Sequence, residues 1–254
     1  MMRYWPIVPL FLLMAITCYA QDSTQTQNRW RFLVEPYLMG PNMKGTVGIG
    51  TLPEVDVNAS AGDIFSHLKG GFMLYAEAQN GTWALSSDLL YMKVSQDAEP
   101  GRAINSGNVT VSETAWELAG LRTILPWLEG GIAGRMLWIG VDAEIVRNMI
   151  GGKTETLSGS MEKNWFDPLL VVRMKLPDAG KWQLQLRGDI GGFGVGSDLT
   201  WQVQAYAGYR FSELFQATVG YRSLAINYEK GDGADRFKYD VTTFGPVVKL
   251  GFNF

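Results

Sequence analysis

The stretch TTFGPVVKLGFNF, residues 242–254, alternates apolar residues with small or polar ones along its whole length. Because successive side chains of a strand point to opposite faces, this pattern predicts a strand with one continuous apolar face. A strand of about 9–11 residues is long enough to cross a bilayer at a tilt. The segment therefore predicts a membrane-spanning strand of a β-barrel. We expect its last apolar residues, Leu250, Phe252 and Phe254, to be the signal that the outer-membrane barrel assembly machinery reads.

The other end of the sequence has the organisation of a secretory signal. Arg3 precedes an apolar run over residues 5–16, and Ala20 provides a small residue at the expected cleavage point. The run is too short to cross a membrane as a helix. We expect a cleaved signal peptide at 1–20, a flexible segment at 21–28 and a single barrel domain at 29–254. Lipidation at Cys18 is the alternative, although Thr17 directly before it fits that reading poorly.

Composition narrows the class of protein. Cys18 is the only cysteine of the 254 residues, so an exported mature chain has no disulfide and needs another source of stability, which a closed barrel provides. The net charge of −3 argues against a nucleic-acid partner. Thirty glycines and 12% aromatic residues favour a barrel over a periplasmic enzyme.

Two further segments alternate as regularly as the first. In KWQLQLRGDI, residues 181–190, and TWQVQAYAGYR, residues 200–210, apolar residues oppose glutamine and charged residues. A strand of a soluble sandwich can have the same alternation. Trp182 and Trp201 open the two apolar faces, however, and Tyr209 closes the second. Aromatic residues at both ends of an apolar face are typical of the interfacial girdles of membrane barrels.

The chain as a whole predicts an all-β, transmembrane antiparallel barrel of about ten strands, with eight or twelve as alternatives. Short connections alternate with longer, glycine-rich ones, as periplasmic turns alternate with external loops. The long connection at 40–70 is expected to form a cap or plug, although it contains a strand-like stretch at 46–57 and a possible helical turn at 64–68. The expected strands cover residues 30–38, 72–79, 83–91, 109–124, 136–146, 165–176, 181–190, 200–210, 214–228 and 237–254.

Several motifs resemble those of a group of largely uncharacterised Gram-negative outer-membrane β-barrel proteins. They are residues 30–37 with Gly45, WFDP at 165–168, RGDIGGFGVGSDLTWQ at 187–202, AGYRF at 207–211 and GYR at 220–222. Met39 departs from the pattern, in which a tryptophan follows Pro-Tyr-Leu. The resemblance covers essentially the whole mature chain and implies a barrel fold and an outer-membrane location. It implies no activity.

The inward faces of the predicted strands carry charges of both signs in equal number. A narrow lumen is about as wide as its side chains, so these charges must pair or stay hydrated. Paired charges would fill the interior, whereas hydrated ones would line a narrow conduit for small polar solutes. The predicted lumen-facing charges are Glu35, Glu77, Asp88, Glu117, Asp142, Asp167, Asp189, Arg173, Arg187, Arg210, Arg222 and Lys249, with Glu144, Arg31, Lys175 and Lys181 on the same faces.

No pattern predicts catalysis or a cofactor. The glycine-rich residues 191–197 lead into another strand rather than a helix, so they lack the helix N-terminus of a phosphate-binding loop. His67 is the only histidine, and we expect it to point away from the adjacent Ser66, which leaves no catalytic pair. A single histidine and no mature cysteine argue against a transition-metal site.

The sequence therefore predicts a multi-pass outer-membrane barrel, reached by secretion to the periplasm, that is porin-like or structural and not an enzyme. Its expected partners are outer-membrane lipid, the assembly machinery and, if the lumen conducts, small polar solutes. The alternative is a surface adhesion or binding module that uses the external loops. An outer-membrane enzyme is a third and weaker alternative.

Overall fold

The computed structural model describes residues 29–51, 54–97, 104–148, 154–176 and 180–254. The predicted signal peptide and the segment at 21–28 lie outside the described residues. Strands dominate the described residues, which contain one short α-helix, α1 (Ala61–Ser66). The strands are β1 (Arg31–Met39), β2 (Asn42–Ile49), β3 (Val55–Ala59), β4 (Leu68–Gln79), β5 (Trp83–Asp97), β6 (Ile104–Leu125), β7 (Leu128–Asn148), β8 (Thr154–Lys175), β9 (Trp182–Gly192), β10 (Leu199–Arg210), β11 (Phe215–Lys230) and β12 (Phe237–Asn253).

Ten of these strands close into an antiparallel barrel. From β4 to β12 each strand pairs with the next, and β1 pairs with both β4 and β12. The closing seam reaches the ends of the two strands, where the backbone N–H of Phe32 donates to Phe254 (3.1 Å) and the N–H of Phe254 donates to Phe32 (2.8 Å). Closure gives every barrel strand two neighbours and removes the exposed edges of an open sheet. The predicted ten-strand barrel is confirmed.

The connection at 40–70 extends the wall of the barrel. Strand β2 continues the ladder of β1 along β12 after a break at Gly40 and Pro41, since Met39 lies opposite Val247 and Asn42 opposite Phe244. Strand β3 turns back along β2. A single extra strand crossing the membrane would give the barrel an odd number of strands. The strand-like stretch predicted at 46–57 is divided between β2 and β3, which pair with each other, so the barrel keeps its even number. The segment is a hairpin followed by a helix, not an insertion through the lumen.

Helix α1 begins at a capping box formed by Ser60 and Asp63. The Ser60 hydroxyl accepts from the Asp63 N–H (3.2 Å), and the Asp63 carboxylate accepts from the Ser60 N–H (3.0 Å). Reciprocal bonds of this kind satisfy two donors that a helix start leaves unpaired. The helical turn predicted at 64–68 is therefore present but begins three residues earlier.

The outer surface of the barrel is apolar and the inner surface is polar. On β10, Trp201 and Val203 are 38% and 45% exposed, whereas Gln202 and Gln204, which alternate with them, are 1% and 3% exposed. This arrangement is the reverse of a soluble sandwich, in which glutamines face water, and it is the one that a lipid environment requires. In the described part of the chain, no helix is long and apolar enough to cross a membrane.

The barrel has a short end and a tall end. The turn end carries the short connections at 80–82, 126–127 and 211–214, together with the start of β1 and the end of β12. At the opposite, loop end, β6, β7 and β8 extend far, because they contain 22, 21 and 22 residues. About 9–11 residues suffice to cross a bilayer, so roughly half of each strand stands beyond it.

Toward the loop end the tall barrel is filled by an apolar core. Side chains of β6, β7 and β8 pack there against side chains of β11 and β12 from the opposite wall. Trp165 stacks on Tyr228 with 4.1 Å between ring centroids. The loop end is therefore built like two packed sheets, and this core closes the lumen. The buried members are Ala115, Leu137, Ile139, Trp165, Leu224, Ile226, Tyr228, Phe237, Tyr239 and Val241.

Candidate functional site in the barrel interior

Arg135 lies at the centre of the buried charges in the middle of the barrel. Its Nη2 donates to Glu117 (2.6 Å) and to Asp189 (2.8 Å), and its Nη1 donates to Thr200 (3.2 Å). The arginine is fully buried. Arg187 approaches Glu117 from the opposite side, so this carboxylate lies between two guanidinium groups. We call Arg135, Glu117, Arg187 and Asp189 the central ion cluster.

A second buried pair joins the central ion cluster to the closing seam. Arg222 Nη1 donates to Asp88 (2.9 Å) and to the Tyr37 hydroxyl (3.0 Å), and its Nε donates to Gln202 (2.6 Å). Gln202 in turn donates to Asp189 (2.8 Å). Strands far apart in the sequence thus meet through one continuous network. A buried network of this kind fixes the geometry of the interior when its members are paired.

A third group lies closer to the turn end. Arg173, which is fully buried, pairs with Glu77 and Glu129, and the Tyr75 hydroxyl donates to Glu77. Lys175 reaches the same two carboxylates, at 3.6 Å from Glu77 and 3.1 Å from Glu129. Two cations therefore balance two carboxylates at this level.

Lys249 occupies a cage of tyrosines beside Glu35. Its Nζ lies 4.3 Å from the ring centroid of Tyr206, 4.5 Å from that of Tyr75 and 5.2 Å from that of Tyr37. Glu35 is 3.7 Å away. Aromatic faces attract a cation in this geometry, and the attraction is stronger when the cation is desolvated.

An open vestibule of about 440 Å³ lies between these groups and the turn end. Its floor is formed by Glu35, Glu77, Lys249 and two of the caging tyrosines, Tyr75 and Tyr206. The vestibule ends there, because the central ion cluster and then the apolar core fill the lumen behind it. Its remaining polar lining includes Arg31, Gln79, Glu129, Lys175, Gln183, Gln185, Arg210, Gln216 and Thr218.

Two of the motifs that carry the family resemblance contact each other at the loop end. Asp167, from WFDP, accepts from the backbone N–H (2.6 Å) and the hydroxyl (2.8 Å) of Ser197 and from Trp165 Nε1 (3.1 Å). Asp167 and Ser197 are fully buried. The glycine-rich residues 191–197 are therefore a tight turn fixed to β8 through this carboxylate. Phe193 has a φ of 50° in this turn, between Gly192 at 86° and Gly194 at 77°.

Most of the predicted lumen charges lie inside the barrel. Arg210 and Arg31 line the vestibule but are not buried, because both are exposed at its rim. Lys181 is exposed at the turn end and does not line the vestibule. The predicted charges that are buried are Glu35, Glu77, Asp88, Glu117, Asp167, Asp189, Arg173, Arg187, Arg222 and Lys249.

The prediction for Asp142 is wrong, as is that for Glu144. Both are exposed, whereas Arg135, Leu137 and Ile139, which lie on the opposite face of β7, are buried. Beyond the bilayer the outer face meets water and the inner face meets the apolar core, so the polarity of the two faces reverses along β7. Sequence reasoning applied the membrane rule to the whole strand and therefore also missed Arg135.

The expectation that Ser66 and His67 point apart is also wrong. The Ser66 hydroxyl lies 2.9 Å from His67 Nδ1. Both groups, however, also contact the Asp63 carbonyl, at 2.8 Å each, so they close the end of α1. The Asp63 carboxylate is engaged at the helix start rather than orienting the ring. The described residues contain no group of three histidine, cysteine or acidic residues that could hold a metal ion.

The surface of the loop end carries an ion cluster that joins the β2–β3 turn to β12. Arg236 Nη2 and Lys238 Nζ contact the Glu54 carboxylate at 2.6 and 2.8 Å, and Arg236 Nε contacts Glu229 at 2.6 Å. Hydrogen bonds from Arg236 and then from Lys238 lower the pKa of Glu54 from its ordinary value. A lowered carboxyl pKa means that the link is complete above the unfolded-state pKa and is lost as the pH falls through the folded-state value.

We therefore expect Glu54 to titrate below 4.5 in the native protein. Carboxyl-detected NMR of the protein in detergent measures the midpoint. Arg236→Gln removes the first partner and should raise it, and 1 M salt should do the same because the cluster is exposed. A midpoint at or above 4.5 in the native protein at low salt would contradict the contact.

Comparison with known proteins identifies the fold. No family model and no curated protein matches the chain. Among solved structures, the outer-membrane protease OmpT from Escherichia coli matches with a TM-score of 0.52 and 8% identity, covering 89% of this chain and 97% of that chain. The toluene transporter TbuX from Ralstonia pickettii matches with a TM-score of 0.41 and 7% identity, covering 88% of each chain. Ail, the attachment invasion locus protein of Yersinia pestis, matches with a TM-score of 0.33 and 9% identity, covering 89% of this chain and 98% of that chain.

The likeness to OmpT concerns the fold alone, because 8% identity carries no residue roles across. The match to this outer-membrane protease agrees with the closed ten-strand ladder and the apolar outer face of the barrel. This chain has the fold of an outer-membrane β-barrel.

Proposed function

We propose that this protein is an integral outer-membrane barrel that forms no open pore and anchors a surface-exposed sheet. Its turn end faces the periplasm and its tall loop end faces the exterior. Outer-membrane lipid surrounds it, and the barrel assembly machinery inserts it. Short turns at one end and extended strands at the other support this orientation.

The filled interior is the observation that carries the proposal. Arg173, Arg187 and Arg222 each contact a carboxylate three or four strands away, across the lumen. Arg135 and Lys249 each contact a carboxylate of the neighbouring strand. A conducting lumen needs hydrated groups along its length, whereas these cations are at most 4% exposed. The apolar core then blocks the loop end. Of the two readings of the sequence, porin-like and structural, this geometry favours the structural one.

Planar-bilayer conductance tests the proposal. We expect no single-channel steps from protein that is shown to be folded and inserted by its co-flotation with liposomes. Reproducible steps that scale with the amount of inserted native protein would contradict a filled lumen.

A second candidate function is binding of an external partner through the tall sheet. The observation in its favour is the length of β6, β7 and β8, which contain twice the residues that a bilayer requires. Membrane anchoring does not need this extension. The proposal includes no catalytic role, since Ser66 and His67 are used to close α1.

Shortening the sheet separates the two candidates. Val141 pairs with Met161, so replacing residues 142–160 by a two-residue turn keeps the pairing of the remaining β7 and β8. If the sheet binds a partner, cells displaying the shortened chain lose attachment to immobilised matrix proteins and sulfated glycans while the barrel still folds. Equal attachment by the native and shortened chains would remove this candidate.

A further inference from the structure

The vestibule at the turn end has the size and the lining of a ligand site. Its volume of about 440 Å³ falls within the range of about 300–1,000 Å³ that small-molecule pockets occupy. It is open to solvent at the turn end and closed by side chains at its floor. Neither the proposed anchoring role nor the filled lumen requires such a cavity.

The charges around the vestibule leave a positive excess at its mouth. Two of its carboxylates, Glu77 and Glu129, are balanced by Arg173 and Lys175. The third carboxylate, Glu35, pairs with Lys249. Arg31 and Arg210 remain, and within the described ranges neither has a carboxylate partner.

Lys249 is a buried residue whose ammonium group makes no hydrogen bond within the described residues. The ammonium lines the floor of the vestibule, yet the described residues give its Nζ no hydrogen bond, and its ion-pair partner Glu35 lies at 3.7 Å. The Glu35 carboxylate is itself engaged, because Gln216 donates to it (3.0 Å). The tyrosine rings attract the charge of Lys249 through their faces. They accept no hydrogen bond from its three N–H donors, whereas an anion would.

Neutral amides complete the lining near the mouth. With its amide oriented to satisfy its neighbours, the Gln183 oxygen accepts from Arg210 Nη2 (2.5 Å) and Nε (3.3 Å), and its nitrogen donates to Gln216 (3.2 Å). These bonds hold one edge of the Arg210 guanidinium at the rim and leave the donors of its Nη1–Nη2 edge available. A planar guanidinium suits the two oxygens of a carboxylate or phosphate group.

We propose that the vestibule binds a small anion carrying carboxylate or phosphate groups, which enters from the periplasmic side. Arg31 and Arg210 contact the anion at the mouth, and Lys249 supplies donors at the floor. A cationic ligand is disfavoured, because both unpaired groups at the mouth are positive. The inference does not depend on a closed lumen, so a conductance measurement and a binding measurement can fail separately.

Calorimetry of the full-length folded protein in detergent tests the proposal with succinate and inorganic phosphate as probes. Succinamide, which has the shape of succinate without its charges, is the matched neutral probe, and putrescine is the cationic one. We expect saturable one-to-one binding of succinate or phosphate and none of succinamide or putrescine. Whichever anion binds more tightly distinguishes the carboxylate from the phosphate class.

The variant Arg31→Gln/Arg210→Gln should weaken anion binding at least tenfold. Both arginines are exposed, so their replacement leaves no buried carboxylate unpaired and the barrel still folds. Lys181→Gln is the control, because Lys181 is an exposed cation at the same end that does not line the vestibule. It should change the affinity less than twofold. Equal weakening by both variants, no saturable anion binding, or binding of putrescine in place of the anions would each overturn the proposal.

Discussion

Replacing Arg135 by alanine should lower the free energy of unfolding by about 3 kcal/mol. Removing one partner of a buried ion pair costs about 3–5 kcal/mol, because the remaining charge stays buried without compensation. The lower end applies here, since Glu117 keeps its contact with Arg187 and Asp189 keeps its hydrogen bond from Gln202. Urea unfolding of the protein in lipid vesicles, followed by tryptophan fluorescence, measures the change.

Two variants show whether the loss comes from the buried charge. Arg135→Met/Asp189→Asn removes one cation and one anion and leaves the pair of Glu117 with Arg187, so it should recover at least half of the loss. Arg122→Ala removes an exposed arginine that lies 5.7 Å from the ring centroid of Trp83, and it should cost no more than about 1 kcal/mol. If Arg135→Ala cost no more than Arg122→Ala, the central ion cluster would not hold the barrel together.

Replacing Asp167 by alanine should lower the free energy of unfolding by about 2–4 kcal/mol. Each buried donor left without an acceptor costs about 1–3 kcal/mol. The two donors of Ser197 lose their acceptor in Asp167, whereas Trp165 Nε1 still donates to the Ser197 hydroxyl (2.9 Å). The same change should release the turn at 193–198, so that a protease added outside liposomes cleaves there. Urea unfolding and mass spectrometry of the fragments report the two effects.

Matched variants locate the effect in this carboxylate. Ser197→Ala keeps the backbone bond to Asp167 but removes two hydrogen bonds of the hydroxyl, one donated to Asp167 and one accepted from Trp165 (2.9 Å). It should cost about 1–2 kcal/mol, since one hydrogen bond contributes about 1 kcal/mol. Asp198→Ala removes the adjacent acid, which is exposed, and should leave both stability and protease resistance unchanged. Cleavage of the native protein at 193–198 at the same rate as Asp167→Ala would contradict the anchored turn.

The strand number and the lipid-facing residues could be predicted from the sequence. Lipid imposes alternation on every residue of a spanning strand, so β9, β10 and β12 could be identified from their apolar positions alone. Trp182 and Leu250 are 55% and 47% exposed on the outer face, as predicted. Closure then requires an even strand count, which led to ten.

The tall strands and the polar pairing could not be predicted in the same way. On β7 the inner face changes from the charge of Arg135 to the apolar Leu137 within two residues, because Leu137 belongs to the apolar core of the loop end. No single alternation rule describes both halves, and Asp142 was therefore placed on the wrong face. The partners of Arg173 and Arg222 lie 96 and 134 residues away in sequence, so only closure of the barrel brings them together.

The place of residues 40–70 in the barrel wall, where the sequence predicts a cap or plug, could not be predicted for a related reason. Strands β1 and β2 both pair with β12 and are separated only by Gly40 and Pro41. In the sequence, however, β2 has the short alternating pattern of a separate strand. Only the common partner β12 reveals the continuity. The assembly signal at Leu250, Phe252 and Phe254 stays a prediction.

Fluorescence quenching of single-cysteine variants along β10 tests the central claim most directly. In a chain with Cys18→Ser, cysteines replacing Trp201, Val203 and Ala205 are labelled with a small fluorophore and compared with cysteines replacing Thr200, Gln202 and Gln204. We predict that nitroxide groups on the lipid chains quench the first set and leave the second unquenched, because the two sets face lipid and barrel interior respectively. Quenching of the second set alone, or equal access of a water-soluble quencher to all six positions, would contradict a lipid-facing barrel.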